Sequence, residues 1–343
     1  MTHITDFLPE NPANLLSAAP QQSIFDAETG VETLPKNVRK PRDEVSEEDV
    51  IQAKLRKGME YAKRRMAAVQ ARSLEDPQVL QLTFPSWDES RRGVPNPFIR
   101  GGLFTTRKSA QRFEFKGEQI ASLSNITVLY SGEELRQDDL SVWMAIVTLA
   151  KNKNLDRPIY FTAYSLIKDM GWRIHVASYA RLKSSIERMK MTSMKISMNQ
   201  GRGAYAGSLI RDYAFDALDD SGHEKWMVRL EPNIANLFVQ DSTTLLEWEQ
   251  RKCIGSRATL TLWLHTFYSS HREPIPYQIA KLHELCKSEE KRMSNFKMRV
   301  RESLEKLIEV GLLESYAITN DVVKVVRKKY SKERLRKLGV EED

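Results

Sequence analysis

Apolar residues recur every three or four positions in several stretches of the chain, and short β-branched runs lie between these stretches. The first pattern is typical of amphipathic helices and the second of strands. In the middle third, the predicted helices are residues 140–151, 163–170 and 176–191. The predicted short strands are residues 126–130 and 159–161. A glycine-rich turn then joins two further predicted strands, residues 194–199 and 208–215. The pattern therefore predicts helix, strand, helix, turn, helix and hairpin.

The same order of elements returns in the last third of the chain. There the predicted helices are residues 256–269, 277–286 and 288–310, and the predicted hairpin strands are 312–318 and 322–327. Two short helices joined by a tight turn and followed by a two-stranded wing are typical of the winged helix-turn-helix. The sequence thus predicts an α+β fold with two winged helix-turn-helix domains in tandem, over residues 103–240 and 241–330.

The remaining stretches are predicted to lie outside these domains. Prolines interrupt every apolar run in residues 1–45, which predicts a disordered tail. Ser46 and the acidic residues after it are typical of a helix N-terminus, and we expect an exposed helix over residues 46–73. Proline, glycine and charge predict a linker over residues 74–102, and a charged tail is expected over residues 331–343.

Composition narrows the class of protein. The chain has 343 residues, 41% of them hydrophobic, which is enough for two packed domains. Its two cysteines, Cys253 and Cys286, support neither a disulfide scaffold nor a zinc site. No apolar run is long enough to cross a membrane, and the N-terminus lacks the pattern of a secretory signal. We therefore expect a reduced, cytoplasmic protein.

The sequence lacks the common motifs of catalysis and metal binding. It contains no Walker loop, no HExxH cluster and no GxSxG motif. An enzyme that processes DNA strands would need a carboxylate cluster for metal or a nucleophile in a basic pocket, and neither can be assembled. We expect a protein that is not an enzyme, with no catalytic residues, no metal and no cofactor.

Positive charge is concentrated near the C-terminus. The formal net charge is +7, and residues 251–343 contain 20 basic and 13 acidic side chains, whereas the first 250 residues contain 33 of each. A localised basic surplus attracts polyanions, and nucleic acid is the commonest of these, although a lysine-rich solubilising face has the same composition.

The predicted helix at 288–310 has the clearest division between its faces. Steps of about 100° per residue place Met293, Phe296, Val300, Leu304 and Leu307 on one apolar side. A recognition helix presents its N-terminal half to base edges, where Arg and Asn side chains read guanine and adenine. The predicted DNA-binding residues of this helix are Lys291, Arg292, Ser294, Asn295, Lys297, Arg299 and Arg301.

Two other sets of side chains are predicted to contact DNA. Basic residues at the end of the second hairpin can follow the phosphate backbone. These are Lys324, Arg327, Lys328 and Lys329. In the first domain, the predicted contacts lie on the longer helix or just before it, namely Arg173, Arg181 and Ser184. Both sets also fit a more ordinary interpretation, a basic tail and a solvated amphipathic helix.

Three short motifs resemble a known family. Residues 102–107 read GLFTTR, residues 130–136 read YSGEELR and residues 267–274 read FYSSHREP. In order and spacing they are similar to the TrfA family of plasmid replication initiators, and the similarity covers about residues 101–327. In the second predicted recognition helix, Arg292, Phe296 and Lys297 match the pattern of that family, whereas Lys291, Ser294 and Asn295 depart from it.

The resemblance implies a function and a set of partners. It implies two winged-helix domains that bind direct repeats (iterons) in a plasmid origin, opening of an adjacent AT-rich segment, and contact with double-stranded and single-stranded origin DNA. It also implies recruitment of the host initiator DnaA, the replicative helicase and the sliding clamp, and an equilibrium between inactive homodimers and active monomers. Apart from the resemblance, Met189, Met191, Met194 and Met198 predict a dimer contact through the edge of the first hairpin.

Two hypotheses stay open at the level of sequence. Gln81, Leu82 and Phe84 form an incomplete version of the short peptide with which proteins dock into the bacterial sliding clamp, and they are the predicted partner-binding residues. The alternative function is a winged-helix transcriptional regulator that binds operator DNA. Direct repeats next to an AT-rich tract would favour the initiator.

Overall fold

The computed structural model describes residues 60, 83–123, 126–198, 204–218, 224–238 and 242–328. Buried apolar side chains form two cores, one from Phe84 to Trp248 and the other from Ile254 to Val325. We call the corresponding parts the first subdomain (residues 83–248) and the second subdomain (residues 254–328). Both belong to one unit, residues 73–343. The predicted tails and nearly all of the predicted helix at 46–73 lie outside the described residues.

The first subdomain contains helices and several small sheets. Its helices are α1 (Asn96–Ile99), α2 (Gln137–Ala150), α3 (Ala163–Asp169) and α4 (Val176–Met191), with a 3-10 helix at Pro232–Leu237. Its strands are β1 (Arg91–Pro95), β2 (Phe104–Thr105), β3 (Glu114–Ile120), β4 (Ile126–Glu133), β5 (Leu135–Arg136), β6 (Ile159–Phe161), β7 (Ser193–Met198), β8 (Ala204–Gly207), β9 (Ile210–Leu218), β10 (Glu224–Leu230) and β11 (Thr243–Glu247). The larger sheets have the strand orders β3-β4-β7-β8 and β6-β10-β9.

The second subdomain is smaller, and one helix leads into it. Helix α5 (Trp248–Ile254) comes first, and the following helices are α6 (Thr259–Ser269), α7 (Ile279–Leu285) and α8 (Met293–Glu309). The strands are β12 (Tyr277–Gln278), β13 (Leu313–Thr319) and β14 (Val322–Arg327). Asn320 and Asp321 both have positive φ angles, which suits the two-residue turn that joins β13 to β14.

The two subdomains repeat one order of elements. In the first, α2, β6, α3 and α4 precede β9 and β10, and in the second, α6, β12, α7 and α8 precede β13 and β14. In both three-stranded sheets the last strand lies in the middle, since the orders are β6-β10-β9 and β12-β14-β13. The predicted α+β class is confirmed, and glycines end the helices as expected: Gly171 follows α3, Gly311 follows α8, and both have positive φ angles.

The first predicted hairpin is wrong in its pairing. Strand β7 was predicted to pair with the strand at 208–215, but it pairs with β8, which lies in the predicted glycine-rich turn. Strand β9 pairs instead with β10. The hairpin that corresponds to β13 and β14 is therefore β9–β10. Because β7 is bonded to β4 on its other side, its edges are both occupied, and Met189 and Met194 are buried in the core. The proposed dimer contact through this strand edge is wrong.

The predicted linker at 74–102 is wrong for its described part. Phe84 is 3% exposed, and its ring centroid lies 4.5 Å from that of Phe238. Trp87 stacks on the same Phe238 ring, and β1 pairs with β11. Proline and glycine made this stretch resemble a linker, but irregular backbone does not prevent burial. The boundary between the domains moves accordingly from residue 240 to about residue 250.

A strap of the first subdomain joins the two cores. The Trp263 indole donates to the Gly101 carbonyl oxygen at 3.1 Å, and the Thr259 hydroxyl donates to the Thr106 carbonyl oxygen at 2.7 Å. The Thr106 amide in turn donates to the carbonyl oxygen of Cys286 at 3.1 Å. The strap is residues 101–106, which overlap one of the motifs that resemble a known family, and it holds the second subdomain against the first.

Arg251 of helix α5 completes this junction. It is buried, and its guanidinium donates to the Gln137 carbonyl oxygen at 3.1 Å and to the Leu262 carbonyl oxygen at 3.3 Å. Burial lowers the pKa of Arg251 to about 9. Since one side chain bonds to helix α2 and to helix α6, the two subdomains have a fixed relation at this point.

None of the helices in the described residues is long and apolar enough to cross a membrane.

Candidate nucleic-acid interface

Helix α8 exposes its polar N-terminal end. Phe296, Val300, Leu304 and Leu307 are buried, and this apolar face anchors the helix on the second core. Met293 was predicted to belong to that face but is exposed, because the helix begins there and its first turn projects beyond the core. The exposed or half-exposed polar residues at this end are Lys291, Arg292, Ser294, Asn295, Lys297 and Arg299, and Arg301 is exposed one turn further on.

Some cations of α8 already have acidic neighbours. Lys297 forms an ion pair with Asp321 in the turn between β13 and β14. The Arg299 guanidinium lies 3.9 Å from the Glu290 carboxylate, which also accepts a hydrogen bond from the Asn295 amide at 3.4 Å. Exposed pairs of this kind are worth about 0–1 kcal/mol, so phosphate groups can compete for these side chains.

A loop of the first subdomain lies beside the N-terminus of α8, and sequence reasoning missed it. The Glu289 carboxylate accepts hydrogen bonds from the Lys108 amide at 3.0 Å, the Ser109 amide at 3.2 Å and the Arg107 side chain at 3.1 Å. Burial opposes ionisation of Glu289, but these donors outweigh it and lower its pKa to about 2. Glu289 therefore fixes the loop, by contacts between residues 180 to 182 positions apart.

The same loop adds a cation to the candidate interface. Partial burial and the neighbouring charge of Arg299 lower the pKa of the Lys108 amine. Cations that lie near one another attract anions, and a DNA phosphate is such an anion. No sequence spacing could have found this pair, because Lys108 and Arg299 belong to different subdomains.

The hairpin β13–β14 presents part of the predicted basic edge. Lys324 and Lys328 are exposed. Arg327 is turned inward instead, where its guanidinium donates to the carbonyl oxygens of Ser269 at 3.2 Å and His271 at 3.0 Å. The prediction that Arg327 contacts DNA is therefore wrong, since the side chain holds the end of α6 to the hairpin. Lys329 lies outside the described residues.

Helix α4 has the corresponding position in the first subdomain, but its arginines bond to acids at the start of α2. Arg181 donates to the Asp138 carboxylate at 3.0 Å, and its guanidinium lies 4.0 Å from the centre of the Trp172 ring. The structure does not favour the predicted contact of Arg181 with DNA, because Asp138 at the start of α2 and the Trp172 ring hold its guanidinium, although the side chain is 34% exposed. Arg173 and Ser184 are exposed and stay available.

A buried acid organises this arrangement. The Asp139 carboxylate accepts hydrogen bonds at 2.7 Å each from Arg112, Arg188 and the Ser185 hydroxyl. Beside it, burial opposes ionisation of Asp138, but Arg181 and Arg112 outweigh this effect and lower its pKa. Three residues of α4, namely Arg181, Ser185 and Arg188, are thus bonded to the start of α2. The network fixes the helix and leaves the Arg188 side chain only 9% exposed, whereas the Arg181 side chain is 34% exposed.

The predicted clamp-binding peptide is described in the structure only at Phe84. Gln81 and Leu82 lie outside the described residues, and Phe84, the aromatic anchor of the predicted clamp-binding peptide, is buried in the first core. A buried ring cannot insert into a groove of another protein, so this prediction is wrong for Phe84. Among the described residues, no group of His, Cys, Asp or Glu side chains has an arrangement that could hold a metal ion.

Comparison with known proteins decides the family. A family model described as TrfA protein matches residues 46–327. The chain belongs to the TrfA family. Over 254 residues it is 28% identical to the plasmid replication initiator protein TrfA of Escherichia coli. That alignment covers 73% of this chain and 65% of the relative.

A comparison with solved structures found matches to a protein named RctB. Two crystal structures of its domains 2 and 3 are 14% and 15% identical to this TrfA-family chain, with TM-scores of 0.47 and 0.46. The similarity covers 69% and 67% of this chain and 100% and 96% of those chains.

Proposed function

We propose that this chain is a plasmid replication initiator that binds direct repeats in an origin. The observation that carries the proposal is its membership of the TrfA family, which rests on a match over residues 46–327. The role is one of binding and recruitment, not of catalysis. Helix α8 and the loop beside it supply the cations that such a role needs.

We further propose that both subdomains are winged helix-turn-helix modules. Support comes from the repeated order of three helices and a hairpin, and from the central position of the last strand in each three-stranded sheet. In this arrangement α4 and α8 are the recognition helices, and β9–β10 and β13–β14 are the wings. The strap at residues 101–106 and Arg251 hold the two modules together, so both can engage one repeat as a unit.

Base readout and backbone contact are assigned to different residues. Arg292 and Asn295, at the exposed start of α8, have the side chains that bond to guanine and adenine edges. Ser294 and Arg301 lie on the same exposed side of the helix. Lys108, Lys324 and Lys328 are proposed to contact phosphate groups, which position the protein without reading sequence.

The partners are proposed from the family. They are double-stranded origin repeats, single-stranded DNA of the opened AT-rich segment, the host initiator DnaA and the replicative helicase. We also propose that a monomer is the active form and that a homodimer restrains it. Strand β7 does not supply the dimer contact, since both of its edges are paired.

The test uses the full chain and a plasmid that carries the DNA next to its coding sequence as the sole origin. We expect replication to require the protein, and the purified protein to protect several direct repeats of about two helical turns each beside an AT-rich tract. The matched control replaces Arg292 and Asn295 by Ala. Protection of one isolated operator without replication would contradict the proposal and favour a transcriptional regulator.

A further inference from the structure

Helix α4 begins with an exposed apolar turn. Val176, its first residue, is 80% exposed, and Ile174, two positions earlier, is 48% exposed. Ala177 and Ala180 continue the exposed surface along the helix. We call Ile174, Val176 and Ala177 the apolar tip. The apolar tip does not pack in the first core, because α4 is attached to that core by Leu182, Ile186 and Met189.

The basic side chains of α4 are largely committed elsewhere. Arg181 bonds to Asp138 and Arg188 bonds to the buried Asp139, both at the start of α2, and the Lys190 amine donates to the carbonyl oxygen of Arg211. Lys183 is exposed, and its amine lies 5.0 Å from the centre of the Phe215 ring. The two arginines of α4 are therefore bonded to acids and are not presented for the bidentate contacts with which this side chain reads guanine.

The backbone around the tip is held in one conformation. His175 caps the helix, since its Nδ1 atom accepts a hydrogen bond from the Ala177 amide at 3.2 Å. Gly171 has a φ angle of 67°, and the Trp172 amide donates to the Ile167 carbonyl oxygen at 3.0 Å, which closes the turn after α3. A preordered turn contacts a ligand at a lower entropic cost than a flexible one.

If α4 is a recognition helix, one group in the major groove suits this tip. A recognition helix presents its N-terminal residues to base edges. Among those edges, the C5-methyl group of thymine is the apolar one. Exposed Arg173, next to Ile174, and Lys183 are placed to attract the flanking phosphates.

We propose, on the basis of the function proposed above, that the first subdomain recognises A·T pairs by contact of Ile174 and Val176 with thymine methyl groups. The second subdomain reads polar edges through Arg292 and Asn295. The two modules of one chain thus use different chemistry for recognition. The expected repeat contains thymines at the positions that face α4.

The experiment measures affinity for a duplex in which single methyl groups are removed. The probe is a duplex repeat selected from random DNA by the full chain, and each thymine in turn is replaced by deoxyuridine. Loss of one buried methyl group should weaken binding by about fourfold at one or two positions. Val176→Ser should weaken binding to the unmodified repeat and abolish the difference between thymine and deoxyuridine at those positions.

A matched control lies on the same helix. Met191, the last residue of α4, is 79% exposed, so Met191→Ser removes an equally exposed apolar side chain far from the tip. This variant should keep the affinity and the methyl dependence of the wild type. Circular dichroism of both variants should match that of the wild type, since neither side chain is part of the core.

The possible outcomes separate the two proposals. Preferential binding of the wild type to a selected repeat, without any position sensitive to methyl removal, would overturn the methyl contact and leave the proposed function standing. An undiminished methyl dependence in Val176→Ser would also overturn it. No preference of the wild type for any duplex over random DNA would overturn the proposed function, and the methyl contact with it.

Discussion

Helices α4 and α8 have the same position in the repeated order of elements, yet they use their charges in opposite ways. In α4, the Arg188 side chain is 9% exposed and bonds to Asp139, which is buried. In α8, the Lys297 side chain is 37% exposed and pairs with an exposed acid in a turn. The comparison teaches that a buried acid of a neighbouring element can bind the basic residues of an amphipathic helix, and the pattern of the helix alone does not record this.

The first prediction tests how much the buried acid Asp139 contributes to stability. Asp139→Asn should destabilise the protein by about 3–5 kcal/mol, because Arg112 and Arg188 then lose a buried charged acceptor. Denaturant unfolding of the full chain measures the change. The matched control is Asp321→Asn, which removes an exposed partner of Lys297 and should cost about 0–1 kcal/mol. An equal loss of unfolding free energy in the two variants would mean that the Asp139 network contributes no more to stability than an exposed ion pair.

The second prediction concerns the contact that positions the start of α8. Glu289→Gln should destabilise the protein by about 1.5–3 kcal/mol, because hydrogen bonds to a charged carboxylate are replaced by weaker ones. The folded pKa of Glu289 is lowered to about 2 from an ordinary value of 4.5. Its contribution is therefore present above about pH 4.5 and is lost as the pH falls toward 2.

Denaturant unfolding at several pH values measures this effect. The difference between wild type and Glu289→Gln should be constant above about pH 5 and should shrink below it. Glu284→Gln is a suitable control, since Glu284 is exposed and pairs only with Lys281 three residues away. A difference that grows as the pH falls would contradict the assigned role of the Glu289 carboxylate.

The third prediction sharpens the distinction between reading and positioning. Asn295→Ala should cost about 1–3 kcal/mol of binding free energy on the cognate repeat and little on random DNA. Lys328→Ala should weaken binding to both by a similar factor, because phosphate contacts carry no sequence information. Titrations of each variant against both duplexes measure this. Equal losses for Asn295→Ala on the two duplexes would remove it from the base-reading residues.

Much of the fold was predictable from local signals. The periodicity of α4 predicted residues 176–191, and the structure has the helix at Val176–Met191. Gly171 and Gly311 marked helix ends because a positive φ angle costs glycine little. The pairing of β9 with β10 was missed, because pairing depends on contacts between strands and not on the pattern within one strand.

The candidate site was less predictable. The outward face of α8 was predictable from its periodicity. The contacts of Arg181 and Arg327 were not, because Arg181 bonds to Asp138 and Arg327 bonds to carbonyl oxygens at the end of α6. Lys108 was missed for the same reason. Each case depends on a neighbour that is distant in the sequence, and a helical pattern records only which face is polar.

The most direct test of this account is the salt dependence of binding to the selected repeat. A side chain that contacts phosphate releases counterions, so its removal lowers the slope of log affinity against log salt concentration by about one. Lys108→Ala should lower the slope in this way, whereas Arg181→Ala should leave it unchanged, since the Arg181 guanidinium is held by Asp138 and Trp172. An unchanged slope for Lys108→Ala together with a lower slope for Arg181→Ala would contradict the assignment of charge contact to the surface around α8.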